Sequence, residues 1–305
     1  MEKSFSRIDM KILLIYNPFA AHGRAKKILP QVEAEFSKHN IDFDLHITDY
    51  PEHATEIMKD VKVKAYDAIV AAGGDGTLFE VINGYYQNSA KKKPPLGILP
   101  VGTGNAVARD LELHVSKWKE AVEIIAQMKP RKVDVGKFTS HGQSYYFLNI
   151  LGLGFVADVT KTAKKLKALG NISYTLGVLY HIAMLKPLKL KIEIDGKLLE
   201  RDNIFVEISN TTYTSNFYMA PNAKIDDGLL DITLLGKLGR IGLLKAFPKV
   251  FTGEHIHLPE VETFKAKHIK ISTEPSKVLT PDGELIGITP VEVECLHQDI
   301  EVLWK

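Results

Sequence analysis

A single cysteine, Cys295, leaves this chain without an internal disulfide, which fits a reducing compartment. No stretch approaches the roughly 18 apolar residues of a membrane span, and two acids in the first ten residues make a poor signal peptide. Neither sign of charge is in excess: 39 basic residues against 37 acidic ones give no global case for nucleic-acid binding. The eleven histidines lack metal-ligand spacing; His255 and His257 would share one side of a strand but have no partners for zinc. Internal repeats and low-complexity segments are also missing. What remains is an ordinary globular composition over 305 residues, enough for two domains with separate cores, expected in the cytoplasm and touching membranes only from outside.

Residues 11–16 (KILLIY) form a continuous apolar run, as in a strand covered on both faces, and Asn17-Pro18 ends it. Ala25, Ile28, Leu29, Val32 and Phe36 recur at helical spacing, with Pro30 inside the pattern predicting a kink or a late start. Phe43, Leu45 and Ile47 alternate like a strand, and Ala54, Ile57, Met58 and Val61 predict the next helix. A third strand, Ala68-Ile69-Val70, runs into Gly73-Gly74-Asp75-Gly76-Thr77, followed by a helix with Leu78, Val81, Ile82 and Tyr85 on one face. A fourth, Leu96-Gly97-Ile98-Leu99, leads to Pro100-Val101-Gly102-Thr103-Gly104-Asn105 and a helix through Val107 and Leu111. Ser116 is placed to cap a last helix bearing Trp118, Val122 and Ile125. This alternation predicts an α/β fold, a three-layer domain around a parallel sheet.

Near Pro130 the pattern changes. Residues 132–137 and 145–150 across His141-Gly142, then 190–194 and 204–208 around Asp195-Gly196, read as antiparallel hairpins. Helical patterns lie near 156–168, 173–186 and 239–251, and strand-like stretches at 268–272, 291–296 and 300–304. The boundary therefore falls at residue 132: an α/β domain over 1–132 and an antiparallel β-sandwich over 133–305, whose last strand is free to pack back on the first domain.

Glycines between a buried strand and a helix let a ligand approach the backbone, and the helix's first N–H groups favour an anion, so residues 73–77 read as a phosphate cradle. A carboxylate there, Asp75, would repel phosphate unless Mg²⁺ lay between them; alternatively Asp75 bonds its own backbone in a tight turn and Thr77 caps the helix. Asn17, Thr48, residues 73–77 and residues 102–105 follow four successive strands, and ligands bind beyond the carboxyl ends of such strands. Phosphoryl transfer needs that cradle, a metal and a carboxylate near the attacking hydroxyl. The first domain shows no evident base, so one from the second would complete the site. Asp282-Gly283-Glu284 is also readable as a plain hairpin turn, and Asp226-Asp227-Gly228 as an Asx turn before a strand. Lys161, Lys164, Lys165 and Lys167 crowd one helix, either a solvated face or a face toward anionic headgroups.

Gly73-Gly74-Asp75-Gly76-Thr77, Pro100-Val101-Gly102-Thr103-Gly104-Asn105 and Asn17-Pro18 together resemble the soluble diacylglycerol kinase and sphingosine kinase catalytic fold, bacterial lipid kinase type. Residues 149–155, 224–229 and 282–284 also fit it in order. The resemblance implies an α/β nucleotide domain plus a β-sandwich domain, with the active site in the cleft between them. It implies ATP contacts from Asn17, Pro18, Thr48, Gly73, Gly74, Asp75, Gly76, Thr77, Thr103 and Asn105, with Mg²⁺ served by Asp75. Glu284 would accept the proton of the lipid hydroxyl, with Asp282 supporting it or the metal. A structural Mg²⁺ would take Asp227 and the carbonyls of Lys224 and Leu229. The chain departs from many members in its loop Asn17-Pro18-Phe19-Ala20-Ala21-His22-Gly23, where the glycine comes late, and at Ala106, where it is like sphingosine kinases.

The function so implied is transfer of the γ-phosphoryl group of ATP to a lipid hydroxyl, chiefly diacylglycerol to phosphatidic acid. It would occur in the cytoplasm at the inner membrane face, with no transmembrane segment, no nucleic-acid partner and room for a homodimer. The rivals are an NAD kinase, which shares Gly-Gly-Asp-Gly-Thr, a sphingoid-base kinase, and a catalytically silent lipid-binding regulator.

Overall fold

The computed structural model describes residues 10–113, 117–165, 180–182, 184 and 187–305. They form two compact units, one of residues up to Lys132 with Ile300–Lys305, the other Val133–Asp299.

In the first unit β1 (Met10–Tyr16) lies between β2 (Ile41–Ile47) and β3 (Ala68–Gly73), all parallel, and β3 pairs in parallel with β4 (Leu96–Pro100). Beyond β4 lies the end of β14 (Val291–Leu303), with Val302 opposite Leu96. Residues Ile12 to Tyr16 are wholly buried, as a strand covered on both faces must be. The cover comes from α1 (Arg24–Lys38), α2 (His53–Asp60), α3 (Asp75–Gln87) and α5 (Trp118–Gln127), with the short α4 (Ala106–Asp110) between the last two. Pro30 neither delays nor ends α1, which begins at Arg24 and continues to Lys38. Gly84 lets α2 and α3 approach: a Cβ there would stand 2.5 Å from the Thr55 carbonyl. Ser116 lies outside the described residues.

The second unit is antiparallel. β5 (Pro130–Ser140) and β6 (Gln143–Phe147) form a hairpin through His141-Gly142, both at positive φ. Residues 145–150 are not one strand: β6 ends at Phe147, and β7 (Ile150–Gly154) pairs elsewhere, with β9 (Lys197–Ser209) and β13 (Leu279–Pro281). β8 (Leu188–Ile194) pairs with the first half of β9, and β10 (Leu230–Gly236) with the second half. β11 (Val261–Ala266) extends β10, while β12 (His268–Glu274) joins β8 to β14. Residues 291–296 and 300–304 belong to a single strand, β14.

Successive β9 residues face opposite ways. Val206 and Ile208 enter a core with Phe138, Phe147, Leu151, Leu153 and Ile232. Phe205 enters a second cluster with Val159, Phe217, Leu235 and Leu243, covered by α6 (Phe155–Lys165) and α7 (Arg240–Ala246). Of the helical pattern at 173–186, only 180–182 and 184 are described. His255 and His257 sit in a 3₁₀ turn, not a strand. Among the described residues no helix is long and apolar enough to cross a membrane.

Candidate active site

The carboxyl ends of β1, β3 and β4 converge in the first unit through hydrogen bonds. Asn17 donates its N–H to the Ala72 carbonyl at 2.9 Å and its Nδ2 to the Thr77 Oγ1 at 3.0 Å, and its Oδ1 accepts the Phe19 N–H. The Tyr16 hydroxyl, donating to the Ala25 carbonyl at 2.6 Å, ties the strand end to α1. Between them Ala21, His22 and Gly23 all adopt positive φ, so the late glycine closes a compact turn and becomes the N-cap of α1. Thr48 is buried after β2, its N–H on the Tyr16 carbonyl; Pro18 is buried and Thr103 exposed.

The two glycine loops touch backbone to backbone. The Gly102 N–H donates to the Gly73 carbonyl at 2.8 Å, and a Cβ on Gly102 would collide with Gly74 Cα. A Cβ on Gly73 would collide with the Thr77 side chain, so glycine lets Thr77 fold over the strand end. The N-cap of α3 is Gly74, which has no side chain to cap the helix. Thr77 is not the cap; its hydroxyl receives Asn17.

Asp75 is turned toward the neighbouring loop. Its Oδ1 accepts the Ala106 N–H at 2.7 Å, making it the cap that α4 lacks locally, since the α4 N-cap Asn105 gives no side-chain bond. Burial raises the Asp75 carboxyl above its ordinary range, and the N–H groups of Ala106, Val107 and Asn105 pull the other way without cancelling it. Its charge therefore has a partner in the protein before any metal arrives. Asn105, 5% exposed, has no hydrogen-bond partner for Nδ2 among the described residues. Two loops that only glycine at 73 and 102 lets touch, a helix that starts at a glycine and an orphaned amide donor fit the oxygens of a phosphate chain.

In the second unit Asp282 and Gly283 take positive φ, and the Glu284 N–H donates to the Pro281 carbonyl at 2.7 Å, a type I′ turn. The Asp282 carboxylate, 6% exposed, accepts the N–H groups of Leu148, Asn149 and Ile150 at 3.2, 3.1 and 2.9 Å. It fixes the turn onto the start of β7 and explains the break between β6 and β7. Glu284 is partly exposed beyond it.

The Asp227 site differs from the implied metal site. Asp227 Oδ1 accepts the Leu229 N–H at 3.1 Å, and Oδ2 receives the Lys265 ammonium at 2.8 Å. Lys265 also reaches the Asn222 carbonyl at 3.1 Å and Asp231 Oδ2 at 3.2 Å. Burial lowers the Lys265 pKa, but Asp227 and Asp231 outweigh it and leave the ammonium firmly charged. Of the implied donors, the Asp227 carboxylate is thus already paired with an ammonium, which occupies the side chain a divalent ion would need. The adjacent loop is held by Asp134, fully buried, which accepts the Gly228 and Gln298 N–H groups at 2.6 Å each and lies 2.8 Å from His297 Nδ1. Among the described residues no group of three or more His, Cys, Asp or Glu side chains is placed to hold a metal.

The second cluster of this unit lines a partly open apolar cavity of about 70 Å³, bounded by Phe155, Val159, Phe205, Met219, Leu243, Phe247 and neighbouring aliphatic residues. Glu207 is set in its wall. It is 1% exposed, its Oε1 accepts the Thr214 hydroxyl at 2.5 Å, and burial pushes its carboxyl up to about 7. His255, also in the lining, is held below its ordinary pKa by burial. Nothing in the sequence marked Glu207, Asp134 or Lys265, because their partners lie 7, 94 and 38 residues away.

Residues 11–138 match the diacylglycerol kinase catalytic domain, and residues 149–304 the YegS C-terminal NAD kinase beta sandwich-like domain. The chain is 32% identical over 293 residues to a diacylglycerol kinase of Bacillus subtilis (strain 168), covering 95% of each. It belongs to the bacterial diacylglycerol kinase family. A diacylglycerol kinase of Mycobacterium tuberculosis (strain ATCC 25618 / H37Rv) is 29% identical over 297 residues, 96% of this chain and 94% of its own. A crystal structure of a diacylglycerol kinase from Bacillus anthracis str. Sterne superposes with a TM-score of 0.77 at 30% identity, covering 97% of each chain. This family member is a lipid kinase: a parallel-sheet domain with a glycine-lined cradle, followed by an antiparallel β-sandwich domain.

Proposed function

We propose that this kinase transfers the γ-phosphoryl group of ATP to the free hydroxyl of diacylglycerol, giving phosphatidic acid, in the cytoplasm and in peripheral contact with the inner face of a membrane. The observation that carries the acceptor is the apolar cavity, whose lining suits an acyl chain and offers little to the riboses and diphosphate of NAD. The names of the relatives support the same choice. ATP would lie on the first unit's rim against Asn17, Pro18, Thr48, Gly73, Gly74, Gly76, Thr77, Thr103 and Asn105. Mg²⁺, when bound, neutralises charge on the phosphate oxygens. Asp75 is the chain's carboxylate for that ion, held in place by the Ala106 N–H. Glu284 takes the proton of the attacking hydroxyl, and Asp282 positions it by fixing the turn that carries it.

Labelled ATP offered with total lipid extract, a sphingoid base and NAD in parallel should label phosphatidic acid. Label confined to the pyridine nucleotide would overturn the lipid acceptor, and label in the sphingoid base alone would move the reading to that lipid. Glu284→Gln should abolish transfer and leave ATP binding intact, whereas undiminished turnover removes Glu284 from the reaction.

A further inference from the structure

The segment after β10 carries two apolar stripes, and only one is used inside the protein. Leu243, Ala246, Phe247 and Val250, on α7 and the 3₁₀ turn Phe247–Phe251, line the cavity. Ile241, Leu244, Pro248 and Phe251 recur at intervals of three, four and three residues, so they fall on another side of the same segment. Ile241 is 72% exposed, Leu244 46% and Phe251 50%. Large apolar side chains scattered singly mean little; three on one stripe make a patch. Along the segment itself the charge is one-sided. Between Lys237 and His257 the chain carries Lys237, Arg240, Lys245 and Lys249 against one acid, Glu254. An apolar stripe edged by cations is what an anionic bilayer surface binds, apolar residues entering the headgroup boundary and cations meeting headgroups.

We propose that residues 237–251 are the membrane-docking face of this kinase, seating Ile241, Leu244 and Phe251 in an anionic bilayer. This rests on the lipid-acceptor reading and deepens it: the segment has bilayer on one side and the acceptor's cavity on the other. The Phe251 ring also packs on Phe217 and Phe247, both of which line the cavity, so the test uses Ile241 and Leu244.

The full chain is floated with vesicles of phosphatidylcholine alone and of phosphatidylcholine with phosphatidylglycerol, at low and high salt. Binding should rise with the anionic fraction and fall with salt. The double variant I241S/L244S should lose at least about tenfold in partition. K245Q/K249Q should lose about fivefold per charge on anionic vesicles and nothing on neutral ones. Leu198→Ser, which removes an apolar side chain 49% exposed on β9, should bind like the wild type. Wild-type binding by I241S/L244S, or an equal loss in Leu198→Ser, overturns the assignment. So does a wild type that ignores anionic vesicles but elutes as a dimer that I241S/L244S dissolves, which gives the patch to a second copy. Dioctanoylglycerol dispersed in water separates the two readings. I241S/L244S should phosphorylate it like the wild type while losing activity on vesicle-embedded diacylglycerol; failure of the wild type on the soluble lipid sinks the acceptor reading whatever the vesicles show.

Discussion

Replacing Glu207 by Gln should flatten the pH dependence of stability in the second unit. Glu207 lies in the cavity wall, and burial moves its carboxyl from 4.5 to about 7, against the opposing pull of the Thr214 hydroxyl. Between those two values the folded chain keeps a proton that the unfolded chain has released. Stability from this group is therefore complete below 4.5 and is lost as pH rises through 7, at about 1.4 kcal/mol per pH unit. Across 7 − 4.5 = 2.5 units, the loss comes to about 3 kcal/mol. Glutamine has nearly the same shape and no proton to lose. Urea unfolding of both proteins from pH 5 to 8.5, followed by circular dichroism, should show the wild type falling relative to Glu207→Gln by about that amount as the pH climbs. All other titrating groups are shared, so they cancel in the difference. Parallel curves would refute the argument, since they would mean that Glu207 ionises in the folded chain as freely as in water.

Two further substitutions probe the loops. Gly102→Ala drives a methyl into Gly74, prising the two glycine loops apart; affinity for a non-hydrolysable ATP analogue should fall more than tenfold with the circular dichroism unchanged, and unaltered affinity would remove these loops from the phosphate site. Lys265 supplies the cation for Asp227 and Asp231, so EDTA should leave wild-type thermal melting alone, while Lys265→Met should gain stability from millimolar Mg²⁺ or Ca²⁺; a wild type that EDTA destabilises would show a resident metal after all.

Much of the first unit was legible because local pattern and environment agree there. Residues 11–16 are an uninterrupted apolar run, and a strand buried on both faces requires one. The glycines at 73 and 102 read as loops for the same reason that they are needed: their neighbours approach too closely for a side chain. The destination of Asp75 was not readable, because its partner is the N–H of Ala106, 31 residues on. Residues 204–208 read as a hairpin strand, but nothing in that reading marked Glu207, whose burial follows from the cover that α6 and α7 lay over its side of β9. The resemblance gave Asp282 the part of supporting Glu284 or the metal, and its hydrogen bonds run to the N–H groups of Leu148, Asn149 and Ile150 far along the chain, which no local pattern shows. Residues 291–304 read as two strands across His297-Gln298-Asp299, and the chain continues as one because buried Asp134 accepts the N–H of Gln298, which has φ 49.

That single strand ties the order of synthesis to the order of folding. The first unit's sheet borders β4 with residues 300–303, so its last parallel partner is made after the whole second unit. A nascent chain of 132 residues has an open sheet edge at Leu96, which Val302 later covers, and open edges invite pairing with other chains. A ribosome stalled before residue 300 therefore holds a nucleotide domain one strand short, and such truncated chains should be the ones that depend most on chaperones.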